Sequence, residues 1–209
     1  LGLDNINSYY STKLKKLRLN YLKKNRGFKF IKLDISNYSK LEIIFKKNKF
    51  DIIINLAAQA GVRYSIINPI EYVSSNTLGF SNILDLSKKY KIQKLFYASS
   101  SSVYGEQKGF PIKEDRKLFP KNMYSLSKKN NEEIAEIYSD HYGIKSVGLR
   151  FFTVYGEWGR PDMMMLRFIS SYYKKKEFKL FNFGNHERYF TYIGDVVKIL
   201  EALLFNQKN

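Results

Sequence analysis

Tyr124 and Lys128 stand four residues apart in Met123-Tyr-Ser-Leu-Ser-Lys128. Residues i and i+4 share one face of a helix, so a phenol and an ammonium at this spacing can enter one pocket. A nearby cation favours the phenolate and lowers a tyrosine's proton affinity from its ordinary value of about 10. That is the chemistry of a general base near neutral pH. Twenty residues upstream, the run Ser99 to Ser102 follows an apolar stretch and closes on Val103-Tyr104-Gly105. A serine hydroxyl there could hold a substrate oxygen against the same base. Alone, a Tyr-x-x-x-Lys is more often an ordinary helix pair than a catalytic one.

The remaining composition narrows what chemistry is open. The 209 residues include no Cys and two His, His141 and His186, so thiolate and His-rich metal sites and a His-based triad are not expected. The absence of Cys fits a reducing, cytoplasmic setting. No stretch reaches the ~18 to 20 apolar residues of a membrane helix. Net charge is +17, from 36 Lys and Arg against 19 Asp and Glu. The lysines are scattered (Lys13, Lys15, Lys16, then Lys46, Lys47, Lys49, then Lys174 to Lys176). They read as solvated helix faces and ends rather than a nucleic-acid stripe. Met163 to Met165 and the aromatics from Tyr172 to Phe183 read as packing residues, and His186 as a surface residue.

Four β-rich runs, 28–33, 51–56, 94–99 and 145–150, alternate with helical stretches at 11–25, 37–48, 69–90 and 122–142. Asn68-Pro69 marks one helix start, and Asp195 is expected to cap a last one. Strand–helix–strand order with continuously apolar strands predicts an α/β fold, a Rossmann-like doubly wound parallel sheet, with part of a smaller domain after it. The expected division is 1–151 and 152–209, the last helix returning to the first domain. Such sheets bind ligands at the carboxyl ends of their strands. Here those ends read Asp4-Asn5, Asp34-Ile35, Leu56-Ala-Ala-Gln59, Ser99 to Ser102 and Arg150-Phe-Phe-Thr153. An acid at such an end can bind a dinucleotide ribose, but the sequence holds no glycine-rich turn ahead of Asp4. Leu1 to Asn5 reads as the end of a strand whose start lies outside the sequence.

Five segments in order carry a resemblance. They are Leu56-Ala-Ala-Gln-Ala-Gly-Val-Arg-Tyr-Ser65, Tyr97-Ala-Ser-Ser-Ser-Ser-Val-Tyr-Gly105, Tyr124-Ser-Leu-Ser-Lys128, Gly148-Leu-Arg-Phe-Phe-Thr-Val-Tyr-Gly156 and Trp158-Gly-Arg-Pro-Asp-Met163. Together they resemble the extended short-chain dehydrogenase/reductases, specifically the NAD-dependent nucleotide-sugar epimerases. Asp4 to Tyr10, Ala60 to Arg63 and Gly159 to Met163 are most similar to the UDP-glucuronate 4-epimerases. The resemblance implies NAD as cofactor, a UDP-sugar as substrate and a homodimer built on helices near 69–90 and 122–142. It implies Ser100, Tyr124 and Lys128 as catalytic residues. Asp4, Asn5 and Asn7 would hold the adenosine ribose, Asp34 and Ile35 would flank the adenine, and Leu56, Ala57, Ala58 and Gln59 would line the pyrophosphate and nicotinamide side. Asn76 would stand behind these, with Ser99, Tyr124, Lys128 and Phe152 also on the cofactor. Ser101, Ser102, Thr153, Arg160 and Arg188 would face the substrate, Arg160 at a sugar carboxylate and Arg188 at the diphosphate. No metal is implied.

The pattern also departs from the family, with Asn55 where His is frequent and Gly194 where Asp is usual. Alternatives stay open: a UDP-glucose 4-epimerase, a dehydratase or decarboxylase of the same fold, or an inactive truncated piece. Dehydration needs an acid–base pair that is usually Asp-Glu beside the catalytic hydroxyl, and Ser101 and Ser102 occupy those positions.

Overall fold

Runs of Ile, Leu and Phe bounded by polar residues become short parallel strands, and helices whose apolar residues recur every three or four positions cover them. The computed structural model describes residues 1–107, 109, 111–184 and 189–205. Strands β1 (Gly2–Asp4) and β2 (Phe30–Lys32) pair in parallel. Strands β3 (Ile52–Asn55), β4 (Lys94–Ala98) and β5 (Lys145–Leu149) form a parallel sheet in that order. Strands β6 (Thr153–Tyr155) and β7 (Phe190–Tyr192) make a third parallel pair. Parallel neighbours need crossovers, and helices supply them.

Two compact units result. The first comprises Leu1–Asn5 with Lys29–Phe151, the second Ile6–Phe28 with Phe152–Asn209. In the first, α2 (Tyr38–Lys47) starts on Asn37, whose side chain accepts from Lys40 N at 3.0 Å, and buries Leu41 and Phe45 one turn apart. The stretch expected as one helix over 69–90 is a composite. An α-turn, α4 (Pro69–Tyr72), follows the short α3 (Tyr64–Ile67) and runs into a π-helical segment at Val73–Leu78. From there α5 (Gly79–Lys89) continues, burying Phe80, Ile83, Leu84 and Leu86 against Leu95 and Tyr97 of β4. Residue 79 must be small: a Cβ there would lie 2.7 Å from Ile35 Cγ1. Helix α6 (Met123–Tyr142) is fixed at both ends, by a capping box of Asn122 and Ser125 and by left-handed Gly143 (φ 67°).

In the second unit, α1 (Thr12–Leu22) is capped by Ser11 and buries no residue fully. Helix α7 (Met164–Tyr173) is likewise only half-buried. Helix α8 (Ile193–Phe205) follows β7 without a connector and packs on β6 and β7. Asp195 was expected as its cap. It sits inside the first turn instead, because the strand passes straight into the helix at Ile193.

The turn after β4 depends on one glycine. Gly105 has φ 66° and ψ −147°, and a Cβ would fall 2.1 Å from the carbonyl oxygen of Phe119, whose own N–H donates to Val103 O at 3.0 Å. Gly105→Ala should therefore destabilise the protein by about 2 kcal/mol or more in urea unfolding. A variant as stable as the parent would show that the turn is not held as described.

Candidate active site and substrate cavity

At the end of β4 the chain enters a 3₁₀ turn, Ser101–Tyr104, with Ser100 in extended conformation as its cap. Ser100 Oγ accepts from Ser102 N at 3.2 Å and from Ser102 Oγ at 2.9 Å. Its own hydroxyl hydrogen is thus not used by these contacts and can be given to a ligand oxygen. Ser101 N donates to Phe151 O at 2.9 Å, joining the turn to the end of β5.

Behind this turn lies a charged cluster that sequence reading missed. Arg150 meets Glu132 with two hydrogen bonds, Nε to Oε1 and Nη2 to Oε2, both 2.9 Å. Its Nη1 donates to Tyr104 Oη at 3.0 Å and to Glu114 O at 2.7 Å, and the guanidinium lies over the Tyr104 ring. Ser99 Oγ donates to the same Glu132 carboxylate. The Glu132 pairing raises the proton affinity of Arg150 beyond that of a free guanidinium. Glu132 is one turn after Lys128 on α6, so helical spacing was the signal that could have found it.

The capping box places Tyr124 in the first turn of α6 and Lys128 one turn on. Tyr124 is half-buried, its ring edge-on to Tyr72 at 6.1 Å and 77°. Tyr72 Oη in turn donates to the carbonyls of Ala60 and Gly61, at 2.9 and 2.6 Å. Lys128 is 3% exposed, and its ammonium donates to Ala98 O at 2.7 Å. Burial depresses its pKa from the usual 10.5 to about 8. Asn76, on the π-helical segment, bridges two elements. It accepts from Gln59 N at 2.7 Å and donates to Gln59 O at 3.1 Å and to Ser127 Oγ at 2.9 Å. The loop after β3 leaves Leu56 and Ala57 exposed and Ala58 half-buried.

At the ends of β1 and β2, Asn5 donates to Asp34 Oδ2 at 2.8 Å, and Asp34 Oδ1 accepts from both N and Oγ of Ser36. Burial alone would raise Asp34, but these donors hold its carboxyl below the usual range. Asp4 is exposed at the end of β1. Ile35 is 7% exposed and belongs to the core, and its carbonyl accepts from Asn82.

The other candidates belong to the second unit. Asn7 Oδ1 accepts from Lys15 Nζ at 2.7 Å. The Phe152 ring meets Tyr189 edge-on. Thr153, read from sequence as a strand-end residue, begins β6. A cavity of ≈ 330 Å³ is walled by Thr153, Tyr155, Met163, Leu166, Phe190 and Tyr192, with Glu157 and Arg160 also lining it. Arg160 pairs with Asp162 through Nε (3.0 Å) and Nη2 (2.6 Å). Arg188 and His186 lie outside the described residues. Among the described residues no group of three or more His, Cys, Asp and Glu could hold a metal ion, and no helix is long and apolar enough to cross a membrane.

The depressed Lys128 ammonium carries a pH signature. Its proton is held less tightly in the folded than in the unfolded chain, so stability rises with pH between about 8 and 10.5. The shift corresponds to roughly 3 kcal/mol, against about 1 kcal/mol for leaving the Ala98 carbonyl unpaired. Lys128→Met should thus be more stable than the parent at pH 7 and lose that advantage by pH 10.5, measured by urea unfolding at both. An equal difference at the two pH values would count against burial as the cause.

A protein of unassigned function from Methanocaldococcus jannaschii is 47% identical over 205 residues, 97% of this chain and 63% of that one. A UDP-glucuronate 4-epimerase of Thermodesulfobacterium geofontis is 44% identical over 199 residues, 95% and 61% of the two. The crystal structure of UDP-glucuronic acid 4-epimerase from Bacillus cereus, in complex with UDP-glucuronic acid and NAD, superposes with a TM-score of 0.93 at 34% identity, covering 100% of this chain and 65% of that one. The chain thus spans about three-fifths of the length of its prokaryotic curated relatives and under half of that of the Arabidopsis thaliana UDP-glucuronate 4-epimerases. A family model matches residues 3–209. By that match, the chain belongs to the NAD dependent epimerase/dehydratase family.

Proposed function

We propose that this chain serves an NAD-dependent UDP-sugar 4-epimerase, with UDP-glucuronate as substrate and UDP-galacturonate as product. The observation that carries the reading is the buried Lys128 ammonium, one turn from Tyr124 and bonded to the carbonyl of the residue preceding the serine run. An ammonium has three N–H donors, and among the described residues only the Ala98 carbonyl accepts from it. Two donors on a buried cation suit the paired hydroxyls of a ribose, which is the fit this structure offers to NAD. Lys128 and Tyr124 would hold the nicotinamide ribose. Asp4, Asn5, Asn7, Asp34, Ile35, Leu56, Ala57, Ala58, Gln59, Asn76, Ser99 and Phe152 would serve the rest of the cofactor, in the roles the family resemblance implies. When bound, NAD supplies hydride acceptance and return at the sugar C4.

The chain's own residues handle the proton. Tyr124, as phenolate, takes it from the 4-hydroxyl of the sugar and later gives one back. Lys128, one turn along the same helix, would be its cationic partner in the role the family resemblance implies. Ser100 gives its unused hydroxyl hydrogen to the same sugar oxygen, and Ser102 keeps Ser100 Oγ aimed by donating to it. Between the two transfers the 4-keto sugar must turn over, so the nucleotide has to be held more firmly than the sugar. Arg160 would take the sugar carboxylate and Arg188 the diphosphate, with Thr153, Ser101 and Ser102 on the sugar. Dehydration is disfavoured because two serine hydroxyls, Ser101 and Ser102, titrate too high to act as an acid–base pair at neutral pH. In the same reading the protein works in the cytoplasm as a homodimer. Exposed Ile70, Val73, Leu126 and Ile137, on 69–89 and α6, supply apolar surface for the partner.

Incubation with UDP-glucuronate and NAD should yield UDP-galacturonate. Turnover of UDP-glucose but not UDP-glucuronate would overturn the substrate assignment, and a 4-keto-6-deoxy product would overturn epimerisation. Tyr124→Phe should lower kcat by about 10³-fold while NAD is still retained, as read by absorbance after gentle purification. Loss of activity only in proportion to lost NAD would remove Tyr124 from the role of base.

A further inference from the structure

The segment 6–28 folds into the second unit although more than a hundred residues separate it from the rest of that unit. Two of its polar contacts reach one short stretch, at Gly159 and Asp162. Arg18 Nη2 donates to Gly159 O at 2.9 Å, while its Nη1 donates to Tyr10 Oη at 2.6 Å. Tyr21 packs on Trp158, a residue in left-handed conformation with φ 60°. Tyr9 Oη donates to Asp162 Oδ2 at 3.2 Å, and the Tyr9 ring lies 5.9 Å beneath the Arg160 guanidinium. Asp162 then grips Arg160 through two hydrogen bonds. Tyr9, Asp162 and Arg160 thus form a closed triangle, and Pro161 stiffens the backbone between two of its corners. Gly159, the neighbour of Arg160 on the other side, is pinned by Arg18.

Stability is a weak reason for this arrangement. Side chains of Arg160 and Asp162 are 30% and 34% exposed, and ion pairs so open to water add little to stability. Geometry is the stronger one. A free arginine side chain loses rotamer entropy when a ligand fixes it. The triangle holds the guanidinium in place beforehand, at the wall of the ≈ 330 Å³ cavity.

We propose that Tyr9 and Asp162 are positioning residues for Arg160, and so set the preference for a carboxylate-bearing nucleotide sugar over a neutral one. This rests on Arg160 as the carboxylate ligand in the function proposed above. The selectivity of the second unit is then tuned from a segment some 150 residues earlier in the chain, through one phenol and one carboxylate.

The test is the ratio of affinities for UDP-glucuronate and UDP-glucose, measured calorimetrically on the NAD-loaded protein. It is compared across the parent, Tyr9→Phe, Asp162→Asn and Arg160→Met. Tyr9→Phe keeps the ring under Arg160 and removes only the hydroxyl, so it remains decisive should Asp162→Asn fold poorly. Both are expected to lower the ratio about fivefold, leaving UDP-glucose affinity unchanged, and Arg160→Met to lower it further. If Arg160→Met lowers the ratio while Tyr9→Phe and Asp162→Asn leave it alone, the positioning role fails and the carboxylate reading stands. A parallel loss of both ligands would reduce Tyr9 and Asp162 to loop anchors, which also overturns the proposal. An unchanged ratio in Arg160→Met would overturn the carboxylate reading itself, and the inference with it.

Discussion

Holding the Lys128 ammonium away from water, with a single strand-end carbonyl to receive it, is the constraint around which the first unit is organised. Such a charge stays desolvated only if the surrounding backbone cannot yield to solvate it, and the elements around it are tied to one another. Asn122 and Ser125 lock the start of α6. From the π-helical segment Asn76 fastens Ser127 to Gln59, and Tyr72 fastens the loop after β3. The Asn76 tie joins the loop that carries Gln59 to the helix that carries Tyr124 and Lys128.

The Glu132–Arg150 pair shows the opposite solution to the same problem within the same helix. There the cation has a matched carboxylate, a phenol and a backbone carbonyl, and its proton is held more tightly than in water. One charge is stabilised by complete pairing and so is chemically inert. The other is left short of partners, and its proton is released near pH 8 instead of 10.5. The contrast separates framework from chemistry more sharply than residue type does, since both are ordinary basic side chains.

The strands of the first unit were legible because strands in a parallel sheet are written as apolar runs with polar ends. The run at 51–56 lost one residue at each end, and those at 94–99 and 145–150 lost only their last. Strands β6 and β7 are three residues each, set among aromatics without a period, and gave no such signal. The π-helical stretch was hidden because a single inserted residue leaves composition unchanged. Tyr124, Lys128 and Ser100 could be picked out from spacing and type. Glu132 with Arg150, and Tyr9 with Asp162, could not be paired, since 18 and 153 residues separate them and only the fold brings them together.

The π-helical segment Val73–Leu78 has a consequence for how this protein can change over generations. Gly79 N reaches back five residues to Ser74 O, so the helix carries one residue more than its length in regular turns requires. Deleting one residue between 73 and 78 would let the helix close into regular turns without moving either end. It would rotate Asn76 off Gln59 and Ser127, loosening the tie while sparing the core packed on α5. A lineage could thus lose that tie by a single-codon deletion and keep its fold.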